Sequence, residues 1–121
     1  MGQTVVVVDD DPGFRSLVGR LLNASGFDVV GDAADGEEAL TVTRRLHPDI
    51  VLLDVQMPGQ DGFSVARQLL QESTSLAVVL TSGRSLEDYG HQITSCEGIA
   101  GFLPKDELSG PGLQDLINGQ P

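Results

Sequence analysis

A doubly wound α/β fold, five parallel strands joined through five helices, is what this 121-residue sequence predicts. Two observations carry the prediction. Short β-branched runs alternate with segments of helical periodicity, and turn residues fall between them. Three of the runs, Val5–Val8, Ile50–Leu53 and Ala77–Leu80, are apolar without alternation, the pattern of strands covered on both faces. Parallel strands need right-handed crossovers, and a helical segment follows each predicted strand.

The elements follow in order. A first strand runs from Thr4 to Val8. Asp11 and Pro12 then supply a cap and a first-turn proline for a helix whose apolar stripe is Phe14, Leu17, Val18, Leu21 and Leu22, with Gly26 placed to stop it. After a strand at Asp28–Gly31, a second helix covers Gly36–His47 with Ala39, Leu40, Thr43 and Leu46 inward, and Pro48 ends it. The third strand, Asp49–Asp54, leads to a helix at Gly62–Glu72 through Phe63, Ala66, Leu69 and Leu70. A fourth strand, Leu76–Thr81, precedes a weaker helix at Leu86–Ser95 with Gly90 inside it. A fifth strand, Ile99–Leu103, and a short helix, Leu113–Asn118, complete the pattern. No repeat, linker or low-complexity stretch interrupts it, so residues 1–121 read as one domain.

Seven basic against eighteen acidic side chains leave a net charge of −11, which repels nucleic acid and anionic lipid alike. Direct DNA binding is not expected. The longest apolar runs are far shorter than the roughly 18 to 20 residues of a membrane span, and the first residues lack the pattern of a signal peptide. The single cysteine, Cys96, cannot form an internal disulfide, so a reducing cytoplasm is the expected compartment, and it reads as a small buried hydrophobe.

In an open parallel sheet, ligands bind outside the carboxyl ends of the strands. Those ends carry Asp9, Asp10 and Asp11, then Asp54, then Thr81 and Ser82, then Lys105. Clustered carboxylates repel: two unit charges 4 Å apart cost about 4 kcal/mol at an effective dielectric near 20. A small oxygen-only cluster with open positions suits Mg²⁺. Lys105, the only lysine in the chain, is suited to meet an anion as a point charge, and the Thr81 hydroxyl to donate one more hydrogen bond to it. Asp11 reads as the helix cap, and His47 and His91 as surface or helix-end residues.

The order VVVVDDDP, DIVLLDVQMPGQDG, VVLTS and GFLPK closely resembles response-regulator receiver domains, the phosphoacceptor modules of two-component signalling. The resemblance spans essentially the whole chain and implies a flavodoxin-like sheet. It implies that Asp54 is the phosphoacceptor, charged by a histidine kinase or a histidine phosphotransfer protein. Asp9 and Asp10 would form the acidic pocket, Asp10 holding Mg²⁺ directly and Asp9 chiefly through water, and the backbone carbonyl of Gln56 would complete the ligands with Asp54. Thr81 matches the switch hydroxyl, Lys105 the active-site lysine and Phe102 the aromatic switch. Phosphorylation would then change the face made by the fourth helix, fifth strand and fifth helix, where a downstream effector protein binds. Phe102 reads equally as a plain core aromatic. Beyond its own phosphorylation and dephosphorylation no catalysis is expected.

Asp106 follows Lys105 where many receivers have proline, and the LPKDEL run looks closer to receivers of the branch with helix-turn-helix outputs. No such output lies within these residues, so a stand-alone receiver is expected. The alternatives are a receiver excised from a DNA-binding regulator and an interaction module that works without phosphorylation. Gln56 and Gly83 are the positions expected to tune the phosphate lifetime, and Ser82 offers a second hydroxyl beside Thr81. Gly59 and Gly62 bracket the loop after Asp54 and Pro58 fixes its entry, the pattern of a turn that brings backbone close to the metal, while Gly62 reads equally as the start of the third helix.

Overall fold

The computed structural model describes residues 2–57, 59–73, 75–83 and 98–119. Strand β1 (Thr4–Val8) leads to helix α1 (Pro12–Ala24), β2 (Asp28–Ala33), α2 (Gly36–Leu46), β3 (Ile50–Asp54), α3 (Gly62–Glu72), β4 (Ala77–Ser82), β5 (Gly101–Pro104) and α4 (Gly110–Asn118). The five strands form one parallel sheet in the order β2-β1-β3-β4-β5. The chain starts at β1, steps out to β2 and then crosses back to β3, so the crevice between the ends of β1 and β3 is the point where the winding reverses.

Alternation within the strands divides the core into two layers. Val6, Val8, Val51, Leu53, Val78 and Leu80 face α2 and α3, while Val5, Val7, Ile50, Leu52 and Val79 face α1 and α4. All of these are essentially inaccessible to solvent. Each such side chain stabilises the fold by about 1.5–3 kcal/mol relative to exposure, which is why the unalternating runs can only be central strands.

Local signals set the helix ends. The Asp11 side chain accepts from the Gly13 amide and Pro12 sits in the first turn, while Ser25 and then Gly26, at φ +97°, close the other end. Asp35 caps α2 through the Glu38 amide, and Asp61 caps α3 through that of Phe63. His47 ends α2 in the left-handed region.

Several expectations need correction. Leu17 is 54% exposed and does not belong to the buried stripe of α1, whose two fully buried residues are Val18 and Leu22. In α2 Ala39 and Thr43 are buried as the spacing predicts, Val42 is buried as well, and Leu40 and Leu46 are partly buried against the same layer. The sheet takes α2 at a slightly different rotation from the one the apolar spacing suggests. Strand β2 extends to Ala33 because its pairing with β1 passes an irregularity between Val5 and Val6. The last strand begins at Gly101 rather than Ile99, and the last helix at Gly110 rather than Leu113. There Ser109 caps through Gly112, with Pro111 in the first turn, and the flanking glycines hide this start from a periodicity argument. The expected helix at Leu86–Ser95, with Cys96 and His91, lies outside the described residues. Two features were not foreseen: an antiparallel pairing of Gln56–Met57 with Gln60–Asp61, and a 3₁₀ turn at Lys105–Glu107.

Candidate functional site

Register brings the polar strand ends to one rim. Val8 pairs with Leu53, so Asp9 and Asp54 leave adjacent strands at the same height. Asp54 lies opposite Thr81, and Thr81 opposite Leu103, two residues before Lys105. Asp9, Asp54, Thr81 and Ser82 are all buried, and Asp10 is exposed. Buried carboxylates at the end of an apolar sheet are costly unless charges and donors meet them.

Lys105 supplies the charge. Its ammonium stands 2.7 Å from Asp9 Oδ2 and 3.4 Å from Asp54 Oδ2. The contact with Asp9 is a close ion pair, and a carboxylate oxygen with one such partner can still take another. Backbone donors hold the other carboxylate oxygens: the Asp11 amide meets Asp9 Oδ1 and the Gln56 amide meets Asp54 Oδ1, each at 2.9 Å.

These surroundings pull Asp54 in opposite directions. Burial raises its pKa most; the Gln56 amide lowers it, the Asp9 charge raises it, and Lys105 lowers it, for a net rise to about 6. For Lys105 burial acts downward, but contact with Asp9 and the charges of both aspartates outweigh it and raise the pKa, so the ammonium stays charged at neutral pH.

One carboxylate oxygen from each of Asp9, Asp10 and Asp54 lies within 4.8 Å of the others. The donors are all oxygen, Asp10 opens to solvent, and among the described residues the buried Asp9 Oδ2 meets only the Lys105 ammonium, a set that fits a hard divalent cation. Thr81 Oγ1 is also buried without a hydrogen-bond partner among the described residues. Ser82 Oγ, by contrast, donates to Gln56 Oε1 at 3.0 Å. Of the residues the sequence singled out, Asp9, Asp54 and Lys105 meet directly, Asp10 and Thr81 border them, and Gln56 touches Asp54 through its amide. Phe102 is half-buried and packs against the layer facing α2 and α3, one register step from the rim.

Two contributors, Arg15 and Phe14, were not expected at the site from the sequence, and a third, Gly62, was. Arg15 Nη1 donates to the Asp9 carbonyl at 2.6 Å while its Nε meets Asp32 at 2.9 Å, which ties α1 and β2 to the acidic turn. Phe14, read there as part of a helix stripe, places its ring beside the Lys105 ammonium. Gly62 lies so close to the site loop that a Cβ would stand 2.4 Å from Val55 Cα and 2.8 Å from the Asp54 carbonyl oxygen. The pairing of Arg15 with Asp32 across α1 and β2 is too generic a signal to read from the sequence, whereas Gly62 both begins α3 and crowds the loop after Asp54, so the two expectations for it hold together.

An acidic, lysine-braced crevice at the winding reversal of a five-stranded parallel sheet defines a flavodoxin-like α/β module with its site at the strand ends. The Response regulator receiver domain profile matches residues 5–116, and the chain belongs to that family. It is 47% identical over 116 residues to a protein-glutamate methylesterase/protein-glutamine glutaminase from Anaeromyxobacter dehalogenans, covering 93% of this chain and 33% of that protein. It is 44% identical over 84 residues to the DNA-binding response regulator MtrA of Mycolicibacterium smegmatis, covering 68% of this chain and 36% of MtrA. Among solved structures it resembles the signal receiver domain of the putative response regulator NarL from Mycobacterium tuberculosis, with a TM-score of 0.86, 36% identity and 98% of both chains covered. The chain thus spans about a third of the length of these two curated relatives. Among the described residues no helix is long and apolar enough to cross a membrane.

Proposed function

We propose that this chain is a phosphoacceptor receiver: Asp54 takes a phosphoryl group from a phosphohistidine on a histidine kinase or histidine phosphotransfer protein. The observation that carries this reading is the burial of the Asp54 carboxylate between a second aspartate and the chain's only lysine. In the transfer, an Asp54 oxygen forms the new P–O bond as the P–N bond to the donor imidazole breaks, giving an acyl phosphate. With an acidity near 6, Asp54 is mostly ionised at neutral pH and able to attack. Asp9, Asp10, Asp54 and the Gln56 carbonyl are the groups that would hold Mg²⁺, which when bound neutralises charge on the transferring group.

The chain's own residues do the rest. Lys105 follows the new anion, since its ammonium already lies within reach of Asp54. Thr81 donates its hydroxyl, which is buried and has no partner among the described residues; a buried hydroxyl left unsatisfied costs about 1–3 kcal/mol. Movement of Thr81 leaves room for Phe102 to turn inward and alter the face that an effector protein reads. Two packings differing by a few kcal/mol suffice, because a ligand biases an equilibrium only through differential contacts. Gln56, held by Ser82, stands beside the acceptor where water would attack the acyl phosphate. A second reading, that the receiver governs an attached DNA-binding output, is favoured by the length of relatives such as MtrA.

Incubation with acetyl phosphate and Mg²⁺, followed by intact mass, tests the proposal. The parent protein gains one phosphoryl mass, and Asp54→Ala or chelation of Mg²⁺ abolishes the gain. An unmodified parent would leave only the module that works without phosphorylation.

A further inference from the structure

The Lys105 ammonium has a third neighbour, and it is not an acid. The centroid of the Phe14 ring lies 4.3 Å from Nζ, well inside the roughly 6 Å range over which an aromatic face attracts a cation. Phe14 stands in the first turn of α1, half-buried against the layer that α1 and α4 cover. The Asp11 cap and Pro12 fix that turn, so the ring is delivered by a well-determined stretch of backbone.

We propose that Phe14 is a positioning residue: its ring holds the ammonium of Lys105 at the mouth of the aspartate cluster, including when a divalent cation occupies the carboxylates. A lysine stem has four flexible bonds, and immobilising it is entropically costly. Its other two anchors, Asp9 at 2.7 Å and Asp54 at 3.4 Å, are the very groups a dication would draw upon. Once they are engaged, the ammonium loses attraction and gains a repelling neighbour. The face of a neutral ring is not competed away. It keeps the side chain, 25% exposed, from swinging into solvent before an anion arrives. A leucine at this position would fill the same apolar space and offer no such face, which separates packing from cation binding.

The role of Lys105 toward a phosphoryl group rests on the reading above; the placement of its side chain does not. Because the chain has one lysine, protein labelled with [¹³Cε]lysine gives a single side-chain signal for Lys105. In the parent the Hε protons are shifted upfield by the ring, and saturating Mg²⁺ leaves them shifted. Phe14→Leu moves them to the position of a solvated lysine, while Phe14→Trp keeps them upfield. Identical signals in the parent and Phe14→Leu, or a parent signal that reverts to the solvated position with Mg²⁺, would overturn the proposal. Thermal melts confirm that the Leu variant is folded. Phosphoryl uptake from acetyl phosphate slows about 3- to 10-fold in Phe14→Leu and largely recovers in Phe14→Trp. Equal rates in the parent and Phe14→Leu also count against it. If the parent takes up no phosphoryl group, the acceptor reading fails while the lysine signal still decides this one.

Discussion

Strand β3 has an aspartate at each end, and the two live in opposite surroundings. Asp49, just before the strand, is exposed; its Oδ2 accepts from the Thr4 amide at 2.9 Å and from the Thr4 hydroxyl at 3.1 Å, and its own amide donates back to Thr4. Asp54, at the other end, is 2% exposed and has a second carboxylate and an ammonium for company. Nearby on the Asp49 side, Arg44 and Glu72 join α2 to α3 through two bonds of 2.7 Å in open solvent. The amino edge of the sheet satisfies its charges locally. The carboxyl edge confines them, so its charges respond to whatever enters. A short strand only five residues long therefore connects a structural clasp with a confined carboxylate.

The largest contrast is in phosphoryl uptake. Asp54→Ala removes it completely, while Asp49→Asn leaves the rate as in the parent; intact mass after acetyl phosphate treatment checks both. Loss of uptake in Asp49→Asn would break the division between the edges. Next is Gly62→Ala. Its Cβ meets backbone rather than a flexible side chain, so the loop after Asp54 must shift, with an expected loss of about 1–3 kcal/mol in urea unfolding.

A pH effect follows in size. The carboxyl of Asp54 titrates near 6 in the folded chain against an ordinary 3.8, so the folded state binds the extra proton between those values. Stability from this group is therefore full below about pH 4 and is lost as pH rises through about 6. Asp54→Asn should raise metal-free stability at pH 8 by on the order of 1 to 2 kcal/mol, and the gain should vanish near pH 4. Denaturation in EDTA at the two pH values checks the sign. Mg²⁺ should stabilise the parent at pH 8 more than the Asn variant. The smallest effect belongs to Arg44→Gln. Arg44 and Glu72 pair in open solvent, each holding the other charged, so the melting temperature should move little and the change should shrink with added salt.

Much of this contrast was legible in the chain. Unalternating apolar runs ending in Asp9, Asp54 and Thr81 could only be central strands with polar tips, and parallel pairing puts such tips on one edge. Lys105 was legible for the same reason. Leu17 was misread because apolar spacing along α1 does not say how wide a face the sheet accepts, and Val42 was missed for the converse reason in α2. The start of α4 was hidden because capping by Ser109 works through backbone geometry that the two glycines obscure. Gly62 was legible as a loop glycine after Asp54, but Arg15 and Phe14 were invisible as site residues. Each acts through a partner outside its own helix: Arg15 through the Asp9 carbonyl and Asp32, Phe14 through Lys105.

The sequence by itself determined the layers, the strand ends and the kind of chemistry gathered there, because hydrophobic periodicity and the side of a parallel sheet are properties of order along the chain. Only the tertiary structure decided which oxygen faces the ammonium, which hydroxyl is left without a partner among the described residues and which ring stands beside the lysine. Those depend on register and helix rotation, and contacts of a few ångströms are fixed only once all the layers pack together.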